Sequence, residues 1–136
     1  MDVDSAVDAV ARELPGTLVV YLFGSFAEGR EHGESDVDLG FLLDRAVHPT
    51  ERDRFDFRVM AGSRLNDLLR RDADVVILND APPELARAIV TKGRRVYCID
   101  DEADHAFVRD AQLRAADIAP WLRRMRAIKL EAGARK

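Results

Sequence analysis

The sequence predicts an α/β domain. Three observations carry that expectation. Apolar runs of strand length lie at residues 17–23, 35–43, 73–78 and 95–99. Stretches with apolar residues at helical spacing stand before, between and after them. Turn-forming residues punctuate the joins, as at Pro15-Gly16 and Asn79–Pro83.

Taken in order, Val3, Val7, Val10 and Leu14 recur at helical spacing, which predicts a first helix over 4–14, opened by a Ser5/Asp8 capping box. Pro15-Gly16 stops it. Thr17 to Phe23 lacks clean alternation and reads as a strand buried on both faces. Ser25 to about Arg30 is expected as a short helix, with a loop to Ser35 and a second strand to Leu43. Thr50 with Asp53 opens a long helix whose apolar side includes Phe55, Val59, Leu65, Leu68 and Leu69. Gly62-Ser63 weakens its middle, so a break is expected there. Ala73 to Leu78 is the third strand. Glu84 to Lys92 is a short helix stopped by Gly93, and Arg95 to Ile99 the fourth strand. From Glu102 to about Leu130 the chain is helical, with a kink or a division at Pro120. Leu122 and Met125 are expected to pack on the core, the arginines beside them to face solvent, and residues 131–136 to fray.

At 136 residues one domain over 1–136 is expected, with a core at 15–100 and C-terminal helices at 102–130. Hydrophobic content of 47% and charged content of 34% belong to a folded globular chain. The formal net charge of −4 argues against a general nucleic-acid binder. No apolar run approaches the roughly 20 residues a membrane span needs, and MDVDSAVDAV carries acids where a secretory signal carries bases. One cysteine, Cys98, fits a reducing compartment and a small core residue, so the cytoplasm is expected. His32, His48 and His105 lack metal-ligand spacing.

The chemistry concentrates in LVVYLFGSFAEGREHGESDVDLGFLL, residues 18–43. On a strand, residues i and i+2 point the same way, so Asp36 and Asp38 share a face. At about 7 Å, two such charges repel by roughly 2 kcal/mol at an effective dielectric near 20. A proton on one carboxylate or a cation between them relieves this. A hard divalent ion such as Mg²⁺, bound by carboxylates and phosphate oxygens, fits. Gly24 lets backbone approach a ligand closely, and a helix starting after it would aim free N–H groups at phosphates. Cradle and carboxylates together read as nucleotide chemistry.

Gly24-Ser25, ten residues, then Asp36-Val37-Asp38 resembles the signature of the polymerase β-like nucleotidyltransferase superfamily, and the wording of residues 24–43 is similar to its minimal nucleotidyltransferase (MNT) branch. The likeness continues through DADVVILNDAPPELARAIVTKGRRVYCID and covers most of 15–100. It implies a small mixed sheet with helices packed on one side, ending in a C-terminal helical segment. Asp74 by pattern alone is a strand-start turn residue. The resemblance instead makes it the third metal-site carboxylate, assisting the attacking hydroxyl, with Asp72 two residues away as its rival. Gly24 and Ser25 would hold the triphosphate. Where many relatives carry an Arg, this chain has Glu28, and Arg30 would take its place.

The resemblance further implies a Mg²⁺-dependent protein adenylyltransferase: an antitoxin that adds AMP from ATP to a tyrosine of a HEPN-domain ribonuclease toxin. Two other readings compete. One is a binding module that silences its partner by contact alone. The other is a nucleotidyltransferase acting on a small molecule such as an aminoglycoside, although such enzymes usually carry an added substrate domain. Neither membrane nor nucleic acid is expected among the partners.

Overall fold

The computed structural model describes residues 1–24 and 36–134, with the side chains of 118–122 and 126–134 outside that description. The expected helix at 25–30 lies outside it as well. Helix α1, Val3–Glu13, opens on Asp2, whose carboxylate accepts the Ser5 amide at 2.7 Å. The cap therefore sits three residues ahead of the expected Ser5/Asp8 box. Strand β1, Thr17–Phe23, and strand β2, Val37–Leu43, pair antiparallel. Helix α2, Glu51–Leu69, carries the expected Thr50/Asp53 capping box. It runs unbroken through Gly62-Ser63, because one glycine costs only about 1 kcal/mol against a long packed helix. Arg70, left-handed at φ 56°, ends it.

Strand β3, Ala73–Ile77, pairs parallel with β2 and leads through a single 3₁₀ turn, Leu78–Asp80, into helix α3, Pro83–Lys92. Strand β4, Arg94–Cys98, pairs antiparallel with β1, so the sheet order is β3-β2-β1-β4. Asn79 clamps the far end of β2: its side chain accepts the Leu43 amide and donates to the Leu43 carbonyl, both at 2.9 Å. Helix α4, Asp101–Ala134, continues past Pro120 without division. Proline removes one ladder bond, but intact turns on either side carry the helix through. Met125 is exposed, not packed on the core as expected.

The mixed sheet is as expected, but the placement of the helices on one side is corrected. Alternating residues of β1 and β2 enter two clusters. Val20, Leu22, Leu39 and Phe41 pack against Val7 and Val10 of α1 and Phe57, Ala61 and Leu65 of α2. Val19, Tyr21 and Leu42 pack with Leu78 and Ile89, and Phe107 of α4 flanks them. Both faces are thus covered, which is why β1 shows no alternation in sequence.

The rotation of α2 also departs from expectation. Its buried face is Arg54, Phe57, Ala61 and Leu65, whereas Phe55 and Val59 are 53% and 56% exposed. Arg54 is only 4% exposed because its guanidinium is bidentate to Asp80 at 2.8 and 2.9 Å and donates to the His48 carbonyl at 2.9 Å. A paired cation took the inward position that a count of apolar residues assigns to its neighbours.

Candidate active site

The end of β1 and the starts of β2 and β3 meet at one end of the sheet, since β1 runs against β2 and β2 runs with β3. Register then fixes the neighbours. Asp38 faces Phe23 on one side and Asp74 on the other. Adjacent strands lie about 4.8 Å apart, so the carboxylates of Asp38 and Asp74 are lateral neighbours. Val37 and Leu39 point into the core with α1 and α2, as do Val75 and Ile77 of β3. Asp38 and Asp74 therefore share the opposite face, and alternation brings Asp36 to it. Asp72 is not the paired residue: it precedes β3, and its carbonyl accepts the Val37 amide at 3.0 Å.

Electrostatics couples the three acids. Asp38 is half-buried, while Asp36 and Asp74 are exposed. Burial pushes the Asp38 carboxyl up from its ordinary range, and the charges of Asp74 and then Asp36 push it further. A cation at this point would relieve all three effects.

Gly24 completes the corner. It adopts φ +74°, and a β-carbon there would collide with Oδ2 of Asp38. Only glycine fits both the backbone and the space. Ser25 and Arg30, expected at the triphosphate, lie outside the described residues, as do Glu28 and His32.

Arg58 of α2 was not legible as a site residue. Its guanidinium stands 3.9 Å from the Asp74 carboxylate, both groups being about half exposed. No local signal marks it, because the rotation of α2 is set by the distant Arg54–Asp80 pair.

Among the described residues, no three acidic, histidine or cysteine groups already converge closely enough to hold a metal ion. The donor set nevertheless fits a hard divalent cation. It consists of carboxylate oxygens, and the central one is disfavoured as an anion until a positive charge joins it.

Residues 6–102 match the family described as polymerase beta, nucleotidyltransferase. The protein adenylyltransferase MntA of Shewanella oneidensis is 29% identical over 84 residues, covering 62% of this chain and 56% of that protein. The match thus spans little more than half the length of that relative. A chain from a crystal structure of a toxin-antitoxin with AMP-PNP is similar with a TM-score of 0.72 at 23% identity, over 91% of this chain and 98% of that one. A chain from the complex of the tri-AMPylated Shewanella oneidensis HEPN toxin with its MNT antitoxin has a TM-score of 0.64 at 21% identity, over 90% and 94%. At these identities the two structures speak for the fold.

Proposed function

The chain belongs to the polymerase beta nucleotidyltransferase family, and from that membership we propose that it transfers AMP from ATP to a tyrosine of a HEPN-domain toxin, neutralising it. The observation that carries the reading is the pairing of Asp38 with Asp74 beside Gly24. The likeness to MntA, named a protein adenylyltransferase, supports the reaction type, and the toxin-antitoxin complexes support the kind of partner.

Asp36, Asp38 and Asp74 would hold Mg²⁺, which when bound supplies charge stabilisation to phosphate oxygens. Gly24, lacking a side chain, lets the Asp38 carboxylate lie against its backbone, and the pyrophosphate portion is assigned to this corner. Ser25 and Arg30 are assigned to the same portion on sequence grounds. Asp74, exposed at the sheet margin, accepts the proton of the incoming hydroxyl. The hydroxyl oxygen bonds to the α-phosphorus as the bond from that phosphorus to pyrophosphate breaks. The proposed setting is the cytoplasm; no helix among the described residues is long and apolar enough to cross a membrane.

The test is to copurify the protein with its partner, add ATP and Mg²⁺, and weigh both chains. The expected result is a partner heavier by whole AMP units. Asp38→Asn, with an unchanged circular-dichroism spectrum, should give no increase. Normal transfer by that variant would remove Asp38 from the mechanism. A wild-type protein that leaves its partner's mass unchanged would overturn the reading as a whole.

A further inference from the structure

We propose that the cleft along the outer edge of β3, between α2 and α3, receives an extended segment of the acceptor protein and delivers its hydroxyl to Asp74. This rests on the transfer reading above and names where its protein substrate lies.

In an in-line displacement the nucleophile and the leaving group stand on opposite sides of phosphorus. The register orders the site across the sheet as Gly24 after β1, then Asp38 on β2, then Asp74 on β3. If the pyrophosphate leaves on the Gly24 side, the hydroxyl enters past Asp74, from beyond the β3 edge.

That edge is shaped to receive something. β3 is the terminal strand of the sheet, paired only with β2 among the described residues. Beside it runs a cleft of about 400 Å³ lined by Phe55 and Arg58 of α2, Val76 of β3, and Pro82 and Leu85 at the start of α3. Phe55 and Leu85 are 53% and 39% exposed, and no core contact explains their apolar character. Arg58 joins cleft to site, lining the one and standing 3.9 Å from Asp74 in the other. Val76 lies two residues along the strand from Asp74, hence on the same face.

An open strand edge with apolar walls suits an extended peptide, whose backbone can pair with the edge while alternate side chains fill the cleft. The occupant is therefore a protein segment with an apolar or aromatic side chain close to the acceptor hydroxyl. A small hydrophilic acceptor such as a sugar would leave Phe55 and Leu85 without a role.

Two measurements on the full-length protein with its copurified partner test this. The first replaces Phe55 by a photo-crosslinking phenylalanine analogue and maps the captured peptide. The expected peptide contains the AMP-bearing residue or lies within about five residues of it, since β3 itself is 5 residues long. The second compares the wild type with the double variant Phe55→Ser, Leu85→Ser. The KM for the partner should rise about tenfold or more, the loss of buried apolar anchors, while AMP-PNP binding stays unchanged. A crosslink far from the modified residue, or a partner KM equal to that of the wild type, overturns the cleft and leaves the transfer reading standing. A wild-type protein that transfers no AMP overturns both.

Discussion

A β-carbon on Gly24 would occupy the space held by the Asp38 carboxylate. The two residues are thus fitted to each other across the β1–β2 pair, and the left-handed backbone at Gly24 adds a second demand for glycine. Gly24→Ala should therefore do two things. Melting should show a loss of about 1–2 kcal/mol from the strained backbone. AMP transfer should fall by about a hundredfold, because displacing a reacting group by an ångström costs about that much. Wild-type transfer by this variant would mean that Asp38 can move freely.

Asp38→Asn should stabilise the fold while abolishing transfer. The Asp38 carboxyl is pushed up by burial and by Asp74 and Asp36, so its ionised form is less favoured folded than unfolded. Whatever stability the protonated carboxyl lends is therefore present at low pH and lost as pH rises through its folded pKa. At neutral pH the amide variant should thus melt at a higher temperature than the wild type, as removal of such a charge often does. Added Mg²⁺ should raise the melting temperature of the wild type more than that of the variant. Calorimetry with Mg²⁺ and with a chelator checks both.

The Arg54–Asp80 pair should behave as a buried pair does. Asp80→Ala alone leaves a guanidinium that is 4% exposed with, among the described residues, the His48 carbonyl as its remaining hydrogen-bond acceptor, and should cost about 3–5 kcal/mol. The double variant Arg54→Met, Asp80→Ala should recover much of that loss, since no unpaired charge remains. Urea melts of the two variants decide the matter.

Tyr21 ties the sheet to α4. Its hydroxyl donates to Asp104 at 2.6 Å, and Arg95 donates to the other oxygen of that carboxylate at 2.9 Å. Burial, then the hydrogen bond to Asp104, holds the phenol well above its ordinary value. The stability tied to the neutral phenol is complete below about pH 10 and declines above it, as the unfolded chain releases a proton that the fold retains. Tyr21→Phe should cost about 1–3 kcal/mol at neutral pH, the worth of a hydrogen bond to a charged group. It should also flatten the alkaline decline, as melting across pH 8–11 would reveal, that window bracketing about one unit or more around the free phenol.

The strands, the Thr50 cap and the spacing of Gly24 from Asp36 and Asp38 could be read directly from the chain, because each depends on neighbours a few residues away. Side-chain alternation alone puts Asp36 and Asp38 on one face. Asp74 stood out only through the family resemblance, with Asp72 as its rival. What the chain by itself determined is therefore the identity of the acids and the local backbone that presents them. Only the tertiary structure decided that Asp38 lies beside Asp74, that helices cover both faces, and that α2 turns Arg58 toward the site and Phe55 outward. The physical reason is range. Parallel pairing of β2 with β3 and the burial of Arg54 against Asp80 join residues dozens of positions apart, and their free energies enter no local pattern of apolar residues.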